Sequence, residues 1–230
     1  MLKIGRMHEE ARDEAAGLRA WAGRGTVALH SNQAEGGVSA LLLERVRPGT
    51  ELGRALPEAE QDVIIANLLQ GLWIDAADLE PLSRQRFRPL RVMCEQWDRE
   101  HVDDVRPGLD PGLVRAGLEL WRTLPATADR QVLLLTDLHA GNVLAAEREP
   151  WLVIDPKPYL GDPTYDCVQH MVNCPERLYA DPRGFADRMA DLCGVDRDRL
   201  HQWLFARCIV ELAVGQEFAP VATTMAARLP

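Results

Sequence analysis

Hydrophobic positions along the chain change their spacing several times, and each change predicts an element. The opening "MLKIG" sets apolar residues around Lys3 and predicts a short strand. "HEEARDEAAGLRAWAG" follows with strong helix formers, early acids, small or apolar residues at Ala11, Ala15, Leu18 and Trp21, and Gly23 as a stop. "TVALH" and "VSALLLERV" read as two strands joined by a turn that contains Asn32, Gly36 and Gly37. From Pro57 the spacing becomes helical, with Val63, Ile64, Leu68, Leu69 and Leu72 as the expected apolar stripe. A second helix is interrupted or begun at Pro89, and a third starts at Pro111, a good first-turn residue. After a loop at 125–130, "LLLTDLHAGNVLAAEREPWLVIDP" predicts strands near 132–135, 143–146 and 151–154, and past Pro163 the pattern returns to helices.

Composition turns these elements into an architecture. With 230 residues, 47% hydrophobic and 27% charged, the chain can bury a substantial core as one large domain or two unequal lobes. A shift in character at 44–52 places the joint there, giving an α+β protein with a small mixed lobe, 1–46, and a larger, mainly helical lobe, 47–230. The longest apolar runs, "VIIANLL" and "QVLLL", fall short of the ~20 residues that cross a bilayer. Nothing at Met1 resembles a signal peptide, so the expectation is a cytoplasmic protein with no membrane partner.

Five cysteines without a C-x-x-C pair predict reduced core thiols, and His8, His30, His101, His170 and His201 show no metal-ligand spacing. The formal charge of −9 argues against a nucleic-acid partner and would attract a cationic small molecule, although many acidic proteins share that sign.

The candidate chemistry lies in the 133–156 stretch. Asp137 follows a buried-type strand, Asn142 comes five residues later, and Asp155 ends a strand after the turn "EREP". A hairpin across that turn would bring Asn142 and Asp155 to the same end of two strands. One asparagine and one aspartate suit magnesium, which completes its oxygen shell with waters and phosphate oxygens. Asp137, beside them, would be free to accept a proton from an attacking hydroxyl.

The order D-x-x-x-x-N, strand, turn, strand, D resembles the catalytic and metal segment of protein kinases and, more closely, of aminoglycoside phosphotransferases. "EEARDEAAGLRAW", "LLLER" and "IDPKPYLGDPTYD" are most similar to the streptomycin 6-kinase and hydroxyurea phosphotransferase group, an antibiotic-resistance family. The resemblance implies a two-lobed, protein-kinase-like fold that binds ATP and Mg2+ and phosphorylates a small cationic or polyol acceptor. It implies Asp137 as catalytic base, Asn142 and Asp155 as metal ligands, and Lys3 as the strand lysine on the nucleotide phosphates. Glu14 would pair with Lys3, with Glu10 as a rival. Glu44, Arg45 and Val46 would form the hinge that meets adenine, and His139 and Asp166 would support the catalytic loop.

Two departures qualify these expectations. Leu135 and Thr136 stand where the family has a histidine and a glycine, so Asp137 must be held by something else. The strand pair that carries the glycine-rich loop in such folds does not precede Met1, and an N-terminally truncated nucleotide lobe with weak turnover is therefore expected. Lys157 is left open between a phosphate or substrate contact and a solvated lysine. The acids of "DVRPGLD" are candidate counter-charges for a cationic acceptor. A noncatalytic pseudokinase and a metal-dependent hydrolase stay open as alternatives.

Overall fold

In the computed structural model, which describes residues 1–9, 11–101, 109–213 and 216–227, the predicted alternation of short strands and helices is present. In chain order the first elements are β1 (Leu2–Arg6), α1 (Glu14–Trp21), β2 (Leu29–Glu35), β3 (Val38–Leu43), β4 (Pro48–Glu51), α2 (Leu52–Ala55) and α3 (Glu58–Leu72). There follow β5 (Ile74–Asp75), α4 (Pro81–Arg86), α5 (Leu90–His101), α6 (Pro111–Thr123), β6 (Val132–Leu134), β7 (Val143–Ala146), β8 (Trp151–Val153) and β9 (Tyr159–Gly161). The last are α7 (Pro163–Val172), α8 (Pro175–Ala180), α9 (Pro182–Cys193), α10 (Arg197–Glu211) and α11 (Ala219–Ala226).

The described residues separate into two compact units, Met1–Arg88 with Val132–Leu160, and Pro89–Gln131 with Gly161–Pro230. The sequence joint at 46/47 does not coincide with this division. β4 pairs with β7, and β7 with β8, so the 143–153 hairpin belongs by its hydrogen bonds to the unit that contains the N-terminal residues.

In the first unit, β3 is the centre of a sheet ordered β1-β3-β2, with Lys3 opposite Leu41. Gly36 and Gly37 turn the chain with φ of 57° and 77°, values that cost glycine little and match the twist of a two-residue hairpin. That turn is shorter than the sequence suggested: β2 runs through Asn32, because the two glycines alone reverse the chain. α1 is also shorter, eight residues, and its buried face is Glu14, Gly17, Leu18 and Trp21. A core of Leu18, Val27, Leu41, Leu43 and Leu152 joins α1 to the sheet and to β8.

The apolar stripe of α3 is displaced from the expected one. Gln61, Asp62, Ile65, Ala66, Leu69 and Leu72 face inward while Val63 is exposed. The face is set by the spacing from Leu72 back to Ile65, and Gln61 is tolerated inside because its amide donates to the Leu56 carbonyl at 2.7 Å.

The second unit is helical, with α6, α7 and α9 packed on α10. Trp121, Tyr165 and Trp203 form its aromatic centre, with ring centroids 5.1–6.1 Å apart. "GDPTYD" has a structural explanation here: Asp162 caps α7 by accepting from the Thr164 amide at 2.9 Å, and it also accepts from Trp203 Nε1 at 2.6 Å. The five cysteines are all free and buried, as expected. Among the described residues no helix is long and apolar enough to cross a membrane.

Gly117 lets α6 approach α10 closely, since a Cβ there would lie 2.8 Å from Ile209 Cβ. Gly71, on α3, has nothing within 4 Å of such an atom. Gly117→Ala should therefore lower stability by about 1–2 kcal/mol, overpacking outweighing the helix-propensity gain, while Gly71→Ala should raise it by up to ~1 kcal/mol. Thermal midpoints that move in opposite directions, by about 2–4 °C per kcal/mol, are the expected result.

Candidate active site

The β7–β8 hairpin sets the site. Val143 pairs with Val153 and Leu144 with Leu152, and the Ile154 amide donates to the Asn142 carbonyl at 2.9 Å. Asn142 and Asp155 consequently leave the hairpin at its open end, Asn142 opposite the residue that precedes Asp155. His139 precedes a short 3-10 turn at Ala140–Asn142 and caps it, its Nδ1 accepting from the Gly141 amide at 3.1 Å. Asn142 Nδ2 donates to the Asp137 carbonyl at 3.0 Å, which ties the two ends of the D-x-x-x-x-N segment together.

Both carboxylates carry a lysine. Lys157 Nζ lies 2.9 Å from Asp137 Oδ2, and Lys3 Nζ donates to Asp155 and, at 2.8–2.9 Å, to both oxygens of Glu14. These lysines supply each carboxylate with a counter-charge. Glu14 is only 3% exposed, and burial raises its pKa although Lys3 opposes the shift. Burial pulls the Lys3 pKa down, but Asp155 and Glu14 together overcome it and leave Lys3 above its ordinary value. Gly17 brings α1 against the segment after Lys157, since a Cβ there would lie 2.8 Å from Pro158 Cγ. Glu10, the rival partner, and residues 104–108 of the acidic stretch lie outside the described residues.

Two cavities meet at Lys3, Glu14 and Asp155, which line both. One, of about 440 Å³, is walled by Val27, Leu43, Val46, Leu144 and Ile154 and bordered by Glu44 and Arg45. That size and apolar lining suit a flat heterocycle. The other, of about 260 Å³, has more charged side chains in its lining, adding Arg6, His8, Ser39 and Lys157. His8, which shows no metal-ligand spacing in the sequence, is an exposed residue at the border of this cavity.

Glu44 does more than border the apolar cavity. Its amide donates to the Ala28 carbonyl at 2.8 Å, and its carboxylate accepts from the Ala28 amide and from Arg148, whose guanidinium also reaches the Gly23 and Thr26 carbonyls. The Arg148 hydrogen bond is the main reason the Glu44 pKa falls below its ordinary value. Asp166 lies buried on α7 in the second unit.

No cluster of three or more His, Cys, Asp or Glu able to hold a metal occurs among the described residues. Asn142 and Asp155 instead offer one amide oxygen and one carboxylate, a sparse oxygen set that fits magnesium better than a caged metal.

The sequence model of the aminoglycoside/hydroxyurea antibiotic resistance kinases matches residues 1–217. The chain belongs to this kinase family. It is 34% identical over 220 residues to the hydroxyurea phosphotransferase of Kitasatospora aureofaciens, covering 92% of this chain and 62% of that protein. It is 34% identical over 214 residues to the streptomycin 6-kinase of Streptomyces griseus, covering 90% of this chain and 68% of that one. The chain thus spans less than two thirds of the hydroxyurea phosphotransferase.

Similar solved structures include an aminoglycoside phosphotransferase of Streptomyces rimosus in complex with ADP and streptomycin. Its TM-score is 0.58 at 16% identity, over 96% of this chain and 85% of that one. The choline kinase of Streptococcus pneumoniae gives a TM-score of 0.63 at 13% identity, over 99% and 85% of the two chains. The resistance-kinase family member described here therefore has the protein-kinase-like fold that its sequence pattern implied.

Three structural roles were missed in the sequence. Arg148 sits in a turn, and its partner Glu44 is 104 residues away; Asp162 before a proline carries a local cap signal, but its bond to Trp203 spans 41 residues. Lys157 had a signal, its spacing from Asp155, but its pairing with Asp137 spans 20 residues.

Arg148→Met should lower stability by about 1–3 kcal/mol, since two carbonyls and a carboxylate lose a charged donor. Because the Glu44 pKa is lowered in the fold, its contribution is present above the ordinary glutamate value of 4.5 and fades as pH falls through the lowered one. The gap between parent and variant should accordingly narrow on acidification in thermal melts, and a gap that widened toward acid would contradict the assignment.

Proposed function

We propose that the chain carries the catalytic core of an ATP- and magnesium-dependent small-molecule phosphotransferase of the streptomycin 6-kinase type. It moves the γ-phosphoryl group of ATP to a hydroxyl of an aminoglycoside-like cationic or polyol acceptor. The observation that carries this reading is that Asn142, hydrogen-bonded to Asp137, leaves the same hairpin end as Asp155, and that Asp155 joins the Lys3–Glu14 pair where two cavities meet. Membership in the resistance-kinase family and relatives named as kinases of streptomycin and hydroxyurea support it.

Adenine would enter the apolar cavity with its edge toward residues 44–46. The Glu44 amide is engaged by Ala28, so the hinge contacts would come from the Glu44 carbonyl and the residues after it. Lys3, anchored by Glu14, would present its ammonium to the phosphates. Asn142 and Asp155 would hold magnesium, which when bound supplies charge neutralisation on the transferring group. Asp137 accepts the proton of the acceptor hydroxyl as its oxygen bonds to the γ-phosphorus. The bond from that phosphorus to the β–γ bridging oxygen breaks, and ADP leaves. Positioning and preorganised charge contribute most of the acceleration, because phosphoryl transfer asks little covalent chemistry of the protein.

In this reading residues 1–46 act as the nucleotide lobe and hinge, and 47–230 as the catalytic and acceptor lobe. The net charge of −9 favours a cationic small-molecule acceptor over nucleic acid.

The direct test is phosphorus NMR of ATP and magnesium incubated with the protein and a panel of streptomycin, other aminoglycosides and hydroxyurea. A new phosphoester resonance that needs acceptor and magnesium is the expected outcome. Thermal stabilisation by ATP and magnesium without transfer would mark a binding module, and phosphate release without acceptor a hydrolase. Asp137→Ala should cost about 10² to 10⁴ in turnover with ADP affinity within a few-fold of the parent. A turnover close to the parent's removes Asp137 from the role of base.

A further inference from the structure

The family's histidine brace before the catalytic aspartate is replaced here by Leu135 and Thr136, and the structure contains a different brace. Lys157 contacts three consecutive residues of that segment. Its amide donates to the Leu135 carbonyl at 2.9 Å, its carbonyl accepts from Thr136 Oγ1 at 2.5 Å, and its Nζ lies 2.9 Å from Asp137 Oδ2. The two side chains are 27% and 18% exposed, so the pair is screened less than a surface ion pair.

Thr136 also has φ of 48°, a conformation that is unfavourable for a β-branched residue and persists only when its surroundings hold it. What holds it are the bond from its own hydroxyl to Lys157 and the tight turn closed by the Asp137 amide on the Leu135 carbonyl at 2.7 Å. The strained residue thus aims the next side chain, Asp137, while Lys157 fixes it from the opposite strand end. Lys157 also lines the smaller cavity with Lys3, Asp155 and Arg6, which places its charge beside the space the phosphates would fill.

We propose that Lys157 is the positioning residue of the catalytic aspartate. Its backbone holds the turn at Thr136, and its ammonium orients the Asp137 carboxylate toward the acceptor hydroxyl. This rests on the phosphotransferase reading above, in which Asp137 is the base. A solvated lysine predicts no loss on substitution, and a lysine that merely blocks Asp137 predicts a gain. A positioning lysine predicts a loss in kcat with little change in KM for ATP, because a misplaced general base is costly even when every binding contact survives.

The experiment compares Lys157→Met, Lys157→Arg, Asp137→Asn and the double variant Lys157→Met with Asp137→Asn in the full chain. Lys157→Met should lower kcat about 10²-fold with KM for ATP within a few-fold, and Lys157→Arg should recover part of the loss. In the Asp137→Asn background, Lys157→Met should have almost no further effect on turnover. Thermal melts without nucleotide provide a readout independent of turnover: the double variant should lose less than the sum of the singles.

Unchanged or raised kcat in Lys157→Met, or additive effects in both measurements, would overturn the proposal while leaving Asp137 in place. If Asp137→Asn itself retained parental turnover, Asp137 would not be the base on which this proposal rests, and additive melts would then overturn the pairing as well. A loss confined to KM for ATP would assign Lys157 to nucleotide binding instead and overturn its positioning role.

Discussion

The first unit depends on keeping a buried carboxylate company. Glu14 lies on the inward face of α1 at 3% exposure, where an unpaired charge would cost several kcal/mol. Lys3 meets it with both oxygens in reach, and since Lys3 is fixed by the pairing of β1 with β3, the ion pair locks α1 to the sheet. Its third contact, to Asp155, extends that lock to the end of β8. Helix, sheet and hairpin are thereby joined at one ammonium group. The apolar packing of Leu18, Val27, Leu41 and Leu152 supplies the bulk of the attachment, and the ion pair supplies its register.

The hairpin contributes geometry of a different kind. Antiparallel pairing with Val143 facing Val153 sets Asn142 opposite Ile154, the residue before Asp155, so Asn142 and Asp155 leave the same end of the hairpin. Around this fixed end the protein stores strain at Thr136 and Asp155, both at positive φ, where backbone hydrogen bonds and side-chain pairs compensate for it. Such compensated strain is common where a side chain must be held in an orientation that its own backbone preferences would not select. Arg148 performs a comparable service at the border of the apolar cavity, tying Glu44 to the Gly23 and Thr26 carbonyls.

The chain's membership in the resistance-kinase family fits a division of labour between units of unlike construction. The first combines small sheets with helices and carries the cavities and ion pairs. The second is helical and is centred on Trp121, Tyr165 and Trp203, with Asp162 and Arg207 buried there only because each has close hydrogen-bond partners. In the second unit Asp162 of the "GDPTYD" motif is a helix cap and an anchor for the indole of Trp203.

Local chemistry in the sequence determined what needs only neighbours. The Gly36–Gly37 reversal, the proline starts of α6 and α7, the break before Pro89 and the hairpin that unites Asn142 with Asp155 were all legible, because each depends on backbone preferences or on spacing within about 20 residues. Tertiary structure alone decided which face of α3 is buried, that Glu44 has its amide and carboxylate engaged, where the compact units divide, and that Lys157 rather than a histidine braces Asp137. These are contests between partners distant in the chain, settled by burial and charge pairing, and a sequence pattern records the competitors without recording which of them meet.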